Sequence, residues 1–324
     1  MRITGTFLDE ITYDIPSNNW GRQEWARDFG VMRSIGIDTV ILIRAGLRNI
    51  AAFPSKTLKK HVGILPVQGD LVDMFLTLAE QNDMDFYFGT YYSDGYLGSD
   101  NNQRIIDINR ELVEEAWNKY GKRKSFKGWY LTDEIGRRED VAGIESICRL
   151  GNYCKNISPD IPVMISPYIY GKKISSNPVT LEQHRTEWDE ILAGFKGIVD
   201  IVSFQDGHMD FSELKDYLLV NNDLIRKYDM KAWSNIETFD RDMPIKFPPI
   251  DWRKLLWKLT SASMAGYDKL ITFEFSHFLS PNSQWASSKN LFNRYCEFFT
   301  IDQNKKTYAP LSYTKKSHQD IVNL

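Results

Sequence analysis

Two hydrophobic periods alternate along the chain. Short apolar segments recur eight times, at 3–8, 39–44, 85–92, 128–134, 163–168, 198–205, 232–237 and 270–276. Their length and alternation predict β-strands. Between them apolar residues return every three or four positions, as on one face of a helix. Trp25, Phe29, Met32 and Ile35 form one such series, and Leu71, Met74, Phe75 and Leu78 another. Leu112, Ala116 and Tyr120 continue the pattern, as do Ile147, Leu150 and Cys154, Trp188, Ile191 and Leu192, Leu214, Tyr217 and Leu218, and Leu255 and Leu259. Strand and helix thus alternate strictly, which predicts a parallel sheet. Eight repeats without a GxGxxG or GxxxxGK[ST] loop favour closure over an open doubly wound sheet. The expected fold is an α/β (β/α)8 barrel, one domain over residues 1–324, with 303–324 as a polar C-terminal tail.

Period two also predicts which side chains face the barrel axis. On the fourth segment Trp129 and Leu131 should meet the helices, leaving Tyr130, Thr132 and Glu134 inward. On the sixth, Val202 and Phe204 go outward and Ser203 and Gln205 inward; on the seventh, Trp233, Asn235 and Glu237 share one face. On the eighth, apolar Ile271, Phe273 and Phe275 are expected outward, which turns Thr272, Glu274 and Ser276 inward. A barrel filled only for stability would carry Val, Ile and Leu in its inner layers. A polar and aromatic upper interior marks a site instead.

The strongest chemical signal within it is a pair of carboxylates. Glu134 and Glu237 end the fourth and seventh strands, and barrel chemistry sits at the C-terminal strand ends. Cleavage of a glycosidic bond needs one protonated carboxyl for the leaving oxygen and one ionised carboxylate for the anomeric carbon or a water. Separations of about 5–5.5 Å give retention and about 6.5–9.5 Å inversion. Glu134 is assigned the acid/base role and Glu237 the nucleophile, in a retaining scheme. The competing role for either Glu is to cap a helix or pair with a loop arginine. Glu274 is a third inward candidate and could replace Glu237. Arg44, Tyr92, Tyr168, Gln205 and Asn235 stand at other strand ends, placed to bind substrate, with Trp285 on a late loop as a stacking platform. Asp133, beside Glu134, should point to the helices.

Composition narrows the alternatives. The net charge of −3 is spread over interspersed signs, so nucleic acid is not an expected partner. Nine Trp and sixteen Tyr suit sugar stacking as well as a large core. Cys148, Cys154 and Cys296 lack metal spacing, and no apolar run is long enough to span a membrane. Met1 and Arg2 lead directly into a strand, so the chain is expected to be cytoplasmic, or periplasmic or secreted if an export signal has been removed. Five scattered His and no HxH on the first strand argue against a zinc barrel. No Lys lies within a strand interior for Schiff-base chemistry. No cofactor is expected, and the partner is an oligo- or polysaccharide. Two other readings stay open: a non-catalytic carbohydrate-binding barrel, and a sugar-acid isomerase or lyase.

Glu134 and Glu237 match in strand position the acid/base and nucleophile of clan A glycoside hydrolases. Closer in wording, Gly5 to Asp9, Gly128 to Ile135 and the Phe273-Glu274-Phe275 run resemble an uncharacterised bacterial barrel family. That family is assigned to glycoside hydrolysis and is often exported by polysaccharide-degrading gut-type bacteria. The likeness runs from residue 3 to about residue 300. It implies a TIM barrel that cleaves a glycan. Where clan A enzymes carry an Asn that binds the sugar 2-hydroxyl just before the acid/base, this chain carries Asp133.

Overall fold

The computed structural model describes residues 1–12, 15–98, 102–174 and 177–302; the expected tail at 303–324 lies outside them. Eight parallel strands close a barrel: Ile3–Leu8, Thr39–Leu42, Asp85–Gly89, Phe126–Leu131, Val163–Ile165, Ile201–Gln205, Lys231–Glu237 and Lys269–Phe273. They neighbour one another in chain order, and the first pairs with the eighth through Ile3 opposite Leu270 and Thr6 opposite Thr272. Each periodic stretch of the sequence is a helix packed outside, such as Arg22–Ser34, Leu71–Gln81 and Trp252–Ala265. Local chemistry sets their starts. Asp210 accepts from the Ser212 N–H, and Asp251 from the Arg253 N–H, each satisfying an orphan donor of the first turn.

Two apolar shells result. The outer one lies between strands and helices, where Trp188 meets Phe204 edge-on at 4.5 Å and Trp129 meets Phe126 at 4.9 Å. Burying each such side chain contributes about 1.5–3 kcal/mol. The inner one fills the barrel with Phe7, Ile41, Tyr87, Tyr130, Met164, Ile201, Trp233 and Ile271. This apolar floor supports the polar layer above it, which is what makes the mouth a rigid place for chemistry.

The fourth, sixth and seventh strands present the faces expected of them, and the eighth does not. Ile271 belongs to the inner cluster, and Phe273 packs against it, while Thr272 donates to the Ile236 carbonyl at 2.6 Å. In a closed barrel both faces of a strand are buried, so apolar alternation carries no sign. The neighbouring strand decides: Gly5 has no side chain, and a Cβ there would lie 2.6 Å from Ile271 Cγ2. Ile271 fills the space that glycine leaves.

Several strands also stop earlier than the pattern suggested. After Gly89 the chain enters a small sheet in which Tyr91–Tyr92 pairs with Gly46–Leu47, itself paired with Ile50–Ala51. This sheet fixes Arg44 and Tyr92 at the barrel mouth. Among the described residues no helix is long and apolar enough to cross a membrane.

Candidate active site

A cavity of about 250 Å³ opens at the C-terminal mouth of the barrel. Its walls combine Arg44, Tyr92, Glu134, Gln205, Asn235 and Glu237 with residues from the loops, chiefly Asp94, His208, Phe239 and Arg241. The two carboxylates therefore share one cavity, each carried there by its own strand end. Their surroundings differ sharply.

Glu237 is held as an anion. It is 2 % exposed, and burial alone would raise its pKa. Arg241 outweighs that by charge and by a bidentate clasp, Nε to Oε2 at 2.8 Å and NH2 to Oε1 at 2.7 Å. Lys258 and His208 add smaller effects in the same direction, and the net pKa lies below the ordinary carboxylate value. The backbone is fixed too. Asp206 Oδ1 accepts from the Glu237 N–H at 3.0 Å and from Lys258 Nζ at 2.8 Å, and Lys258 also donates to the Glu237 carbonyl at 3.2 Å. Gly207 gives the carboxylate its room, since a Cβ there would sit 1.8 Å from Oε2. Arg241 itself lies over the Phe239 ring, its Cζ 4.9 Å from the centroid.

Glu134 is the opposite case. Its side chain is exposed within the cavity, whose walls displace part of the water around it. This partial desolvation raises its pKa; the Glu237 charge adds to the rise, while Arg44, Arg241 and a hydrogen bond from Gln205 oppose it. One acid is thus pushed toward the protonated form and its partner toward the ionised form.

The amides between them are locked by a residue that the sequence pattern did not single out. Ser166, just past the fifth strand, accepts at its carbonyl from Gln205 Nε2 at 2.7 Å and at its Oγ from Asn235 Nδ2 at 3.1 Å. Asn235 Oδ1 is buried with no partner among the described residues. It is a buried acceptor left unsatisfied beside the cavity.

Comparison with known proteins places this arrangement. Residues 3–285 match the family described as Domain of unknown function (DUF4434). The chain belongs to the DUF4434 family. No curated protein matches this DUF4434 chain. Among solved structures it is 48 % identical to "a putative alpha-L-fucosidase" from Bacteroides thetaiotaomicron, with a TM-score of 0.88 over 93 % of this chain and 96 % of that one. It also resembles a beta-galactosidase from Halorubrum lacusprofundi at 13 % identity and TM-score 0.59, covering 94 % of this chain and 59 % of that one. An endo-1,4-beta-D-mannanase from Thermotoga petrophila is 12 % identical with TM-score 0.56, over 84 % and 88 %. At those two identities the likeness is one of fold. The DUF4434 barrel is the barrel that these glycoside hydrolases use, as the sequence resemblance implied.

Three residues expected at the DUF4434 site stand elsewhere. Glu274 does not line the cavity. It is fully buried on the helix side and caps the short helix Phe275–Phe278, accepting from Ser276 N–H at 2.9 Å and His277 N–H at 2.6 Å and pairing with the His277 ring. That pair holds His277 protonated: burial pulls its pKa down, but the Glu274 charge and hydrogen bond lift it to about 9. The reversed face of the eighth strand is the cause. Trp285 is the N-cap residue of helix Ala286–Phe298 and is absent from the cavity wall. Tyr168 stands just outside, its ring 5.8 Å from that of His208, which does line the cavity. Asp133 points to the helices as expected, accepting from Ser146 Oγ at 2.7 Å, and burial raises its pKa to about 6. Arg241 was missed, although a Glu and an Arg four residues apart at a strand end were there to be read. Among the described residues no group of three His, Cys, Asp or Glu side chains is arranged to hold a metal.

Proposed function

We propose that this DUF4434 protein hydrolyses O-glycosidic bonds of an oligo- or polysaccharide, with Glu134 as acid/base and Glu237 as nucleophile. The observation that carries the reading is the divergence of two carboxyl environments within one cavity: Glu134 raised by desolvation, Glu237 lowered by Arg241 against its own desolvation. Opposed shifts of this kind divide acid from base in glycosidases. The name given to the 48 %-identical Bacteroides protein points the same way.

In this scheme the Glu134 proton passes to the leaving oxygen as the C–O bond breaks. A Glu237 oxygen bonds to the anomeric carbon, giving a covalent glycosyl intermediate. Glu134, now ionised, then takes a proton from a water that attacks the same carbon and frees Glu237. Asn235 and Gln205 orient hydroxyls.

A second reading has one observation on its side. Arg241 engages both oxygens of Glu237, as it would if the carboxylate only balanced charge in a sugar-binding barrel without catalysis. Incubation with a panel of activated aryl glycosides and glycans, followed by NMR of the first-formed anomer, separates the two. Turnover with retained configuration is expected. Binding of a glycan with no cleavage of any member would replace the hydrolase with the binding barrel.

A further inference from the structure

We infer that the site takes a sugar bearing an anionic group, a carboxylate or a sulfate, and that Arg44 is the side chain that recognises it. This rests on the carbohydrate-site reading above and adds the chemical class of the ligand.

The cavity holds two guanidinium groups in different states. Arg241 is committed to Glu237 at 2.7 and 2.8 Å. Arg44, beyond the end of the second strand, has no hydrogen-bond or ion-pair partner among the described residues, and its Nε is buried with nothing to donate to. Its one close partner is the Tyr92 ring, whose centroid lies 5.4 Å from Cζ. Both residues line the cavity. The ring restrains the guanidinium, and its two terminal nitrogens, a pair that matches an oxyanion, have no partner among the described residues. A partly buried cation without a counter-charge is costly to maintain, so a ligand that supplies one is favoured.

Charge balance reaches the same conclusion. Glu237 and Arg241 cancel. Asp94 is answered by Arg48 at 2.6 Å. The cationic form of His208 is disfavoured, because burial and then the Arg241 charge lower its pKa. Glu134 must be protonated to act as the acid. Among the described residues that line the cavity, one positive charge then remains, on Arg44. A neutral sugar would leave it unmatched, whereas a carboxylate or sulfate meets it with two oxygens. Arg44 does lower the pKa of Glu134, but the two form no ion pair. A direct pair would hold the acid ionised and defeat its role.

The test is calorimetry on the Glu134→Gln protein, which fixes the neutral state at that position and stops turnover. Probes are D-glucuronate, D-galacturonate and D-galactose 6-sulfate, each against its neutral parent, with L-fucose beside them. At least one anionic sugar should bind about 10-fold or more tightly than its parent, the scale of a charge-assisted pair. Arg44→Gln in the same background should abolish that advantage, and Arg44→Lys should keep part of it. Preference for the uronates or for the sulfate identifies which anion the site reads. Equal binding of neutral parents, failure of every anionic sugar to bind, or unchanged anionic binding in Arg44→Gln overturns the inference. Because the readout is binding, absence of hydrolysis by the wild type would remove the hydrolase reading and leave this one standing. Efficient hydrolysis without charge preference would do the reverse.

Discussion

Arg241 holds Glu237 through two parallel contacts of 2.8 and 2.7 Å, four residues after the seventh strand delivers that carboxylate to the cavity. The clasp decides the protonation state of Glu237, because burial by itself would push the pKa the other way.

Arg241→Gln removes the charge and keeps a hydrogen-bonding side chain. Desolvation of Glu237 then goes unopposed by its main counter-charge, so its pKa rises. The acid limb of the kcat/KM profile should move to higher pH, and turnover at neutral pH should fall by about 10²-fold, the scale of one electrostatic contact in a closed site. A pH–rate profile superimposable on the wild type would show that Arg241 does not set the charge of Glu237.

Gly207→Ala tests the space around the same group. The new methyl would sit 1.8 Å from Oε2, so the carboxylate must move. A displacement near 1 Å can cost about 10²-fold in rate, while the barrel, whose core is elsewhere, should melt within a few degrees of the wild type. Wild-type kinetics in this variant would mean that Glu237 can be relocated without consequence.

The barrel was legible because eight alternations of period two and period 3.6 leave few other architectures. Glu134, Glu237, Gln205 and Asn235 were legible because strand parity, anchored by Trp129, Leu131, Val202 and Phe204 on the helix side, fixes their direction. Parity failed on the eighth strand, where Ile271 and Phe273 could pack on either buried face and only the vacancy beside Gly5 settles which. That single inversion moved Glu274 out of the site. Arg241 and Lys258 were not legible from strand parity. Each reaches the site from a loop or a helix, where direction depends on tertiary packing.

Glu274→Gln separates a capping role from a catalytic one. The substitution removes the buried counter-charge of His277 and weakens the cap, at a combined cost of about 2–4 kcal/mol. The kcat/KM of the folded protein should stay close to wild type, since Glu274 does not line the cavity. The pH dependence has a defined sign. His277 is raised to about 9 when folded, from 6.5, so its contribution is full below pH 6.5 and is lost as pH rises through 9. Wild-type melting temperature should therefore decline across that window, and Glu274→Gln should show a flatter profile. Loss of turnover without loss of stability would return Glu274 to the chemistry.

Lys258→Met leaves Asp206 buried and without its cation, the two side chains being 6 % and 2 % exposed. Breaking one side of such a pair costs about 3–5 kcal/mol, readable as a shift of the urea midpoint at constant m-value. A change below about 1 kcal/mol would mean that the Glu237 N–H alone suffices for Asp206.

The central claim is that Glu134 and Glu237 perform the chemistry as a pair. The most direct measurement is kcat of Glu134→Gln and Glu237→Gln on the best aryl glycoside, with circular dichroism confirming the fold. Both variants should lose at least about 10³-fold. Added azide should restore turnover to Glu134→Gln, because an anion needs no general base. Near-wild-type rates in either variant would contradict the account.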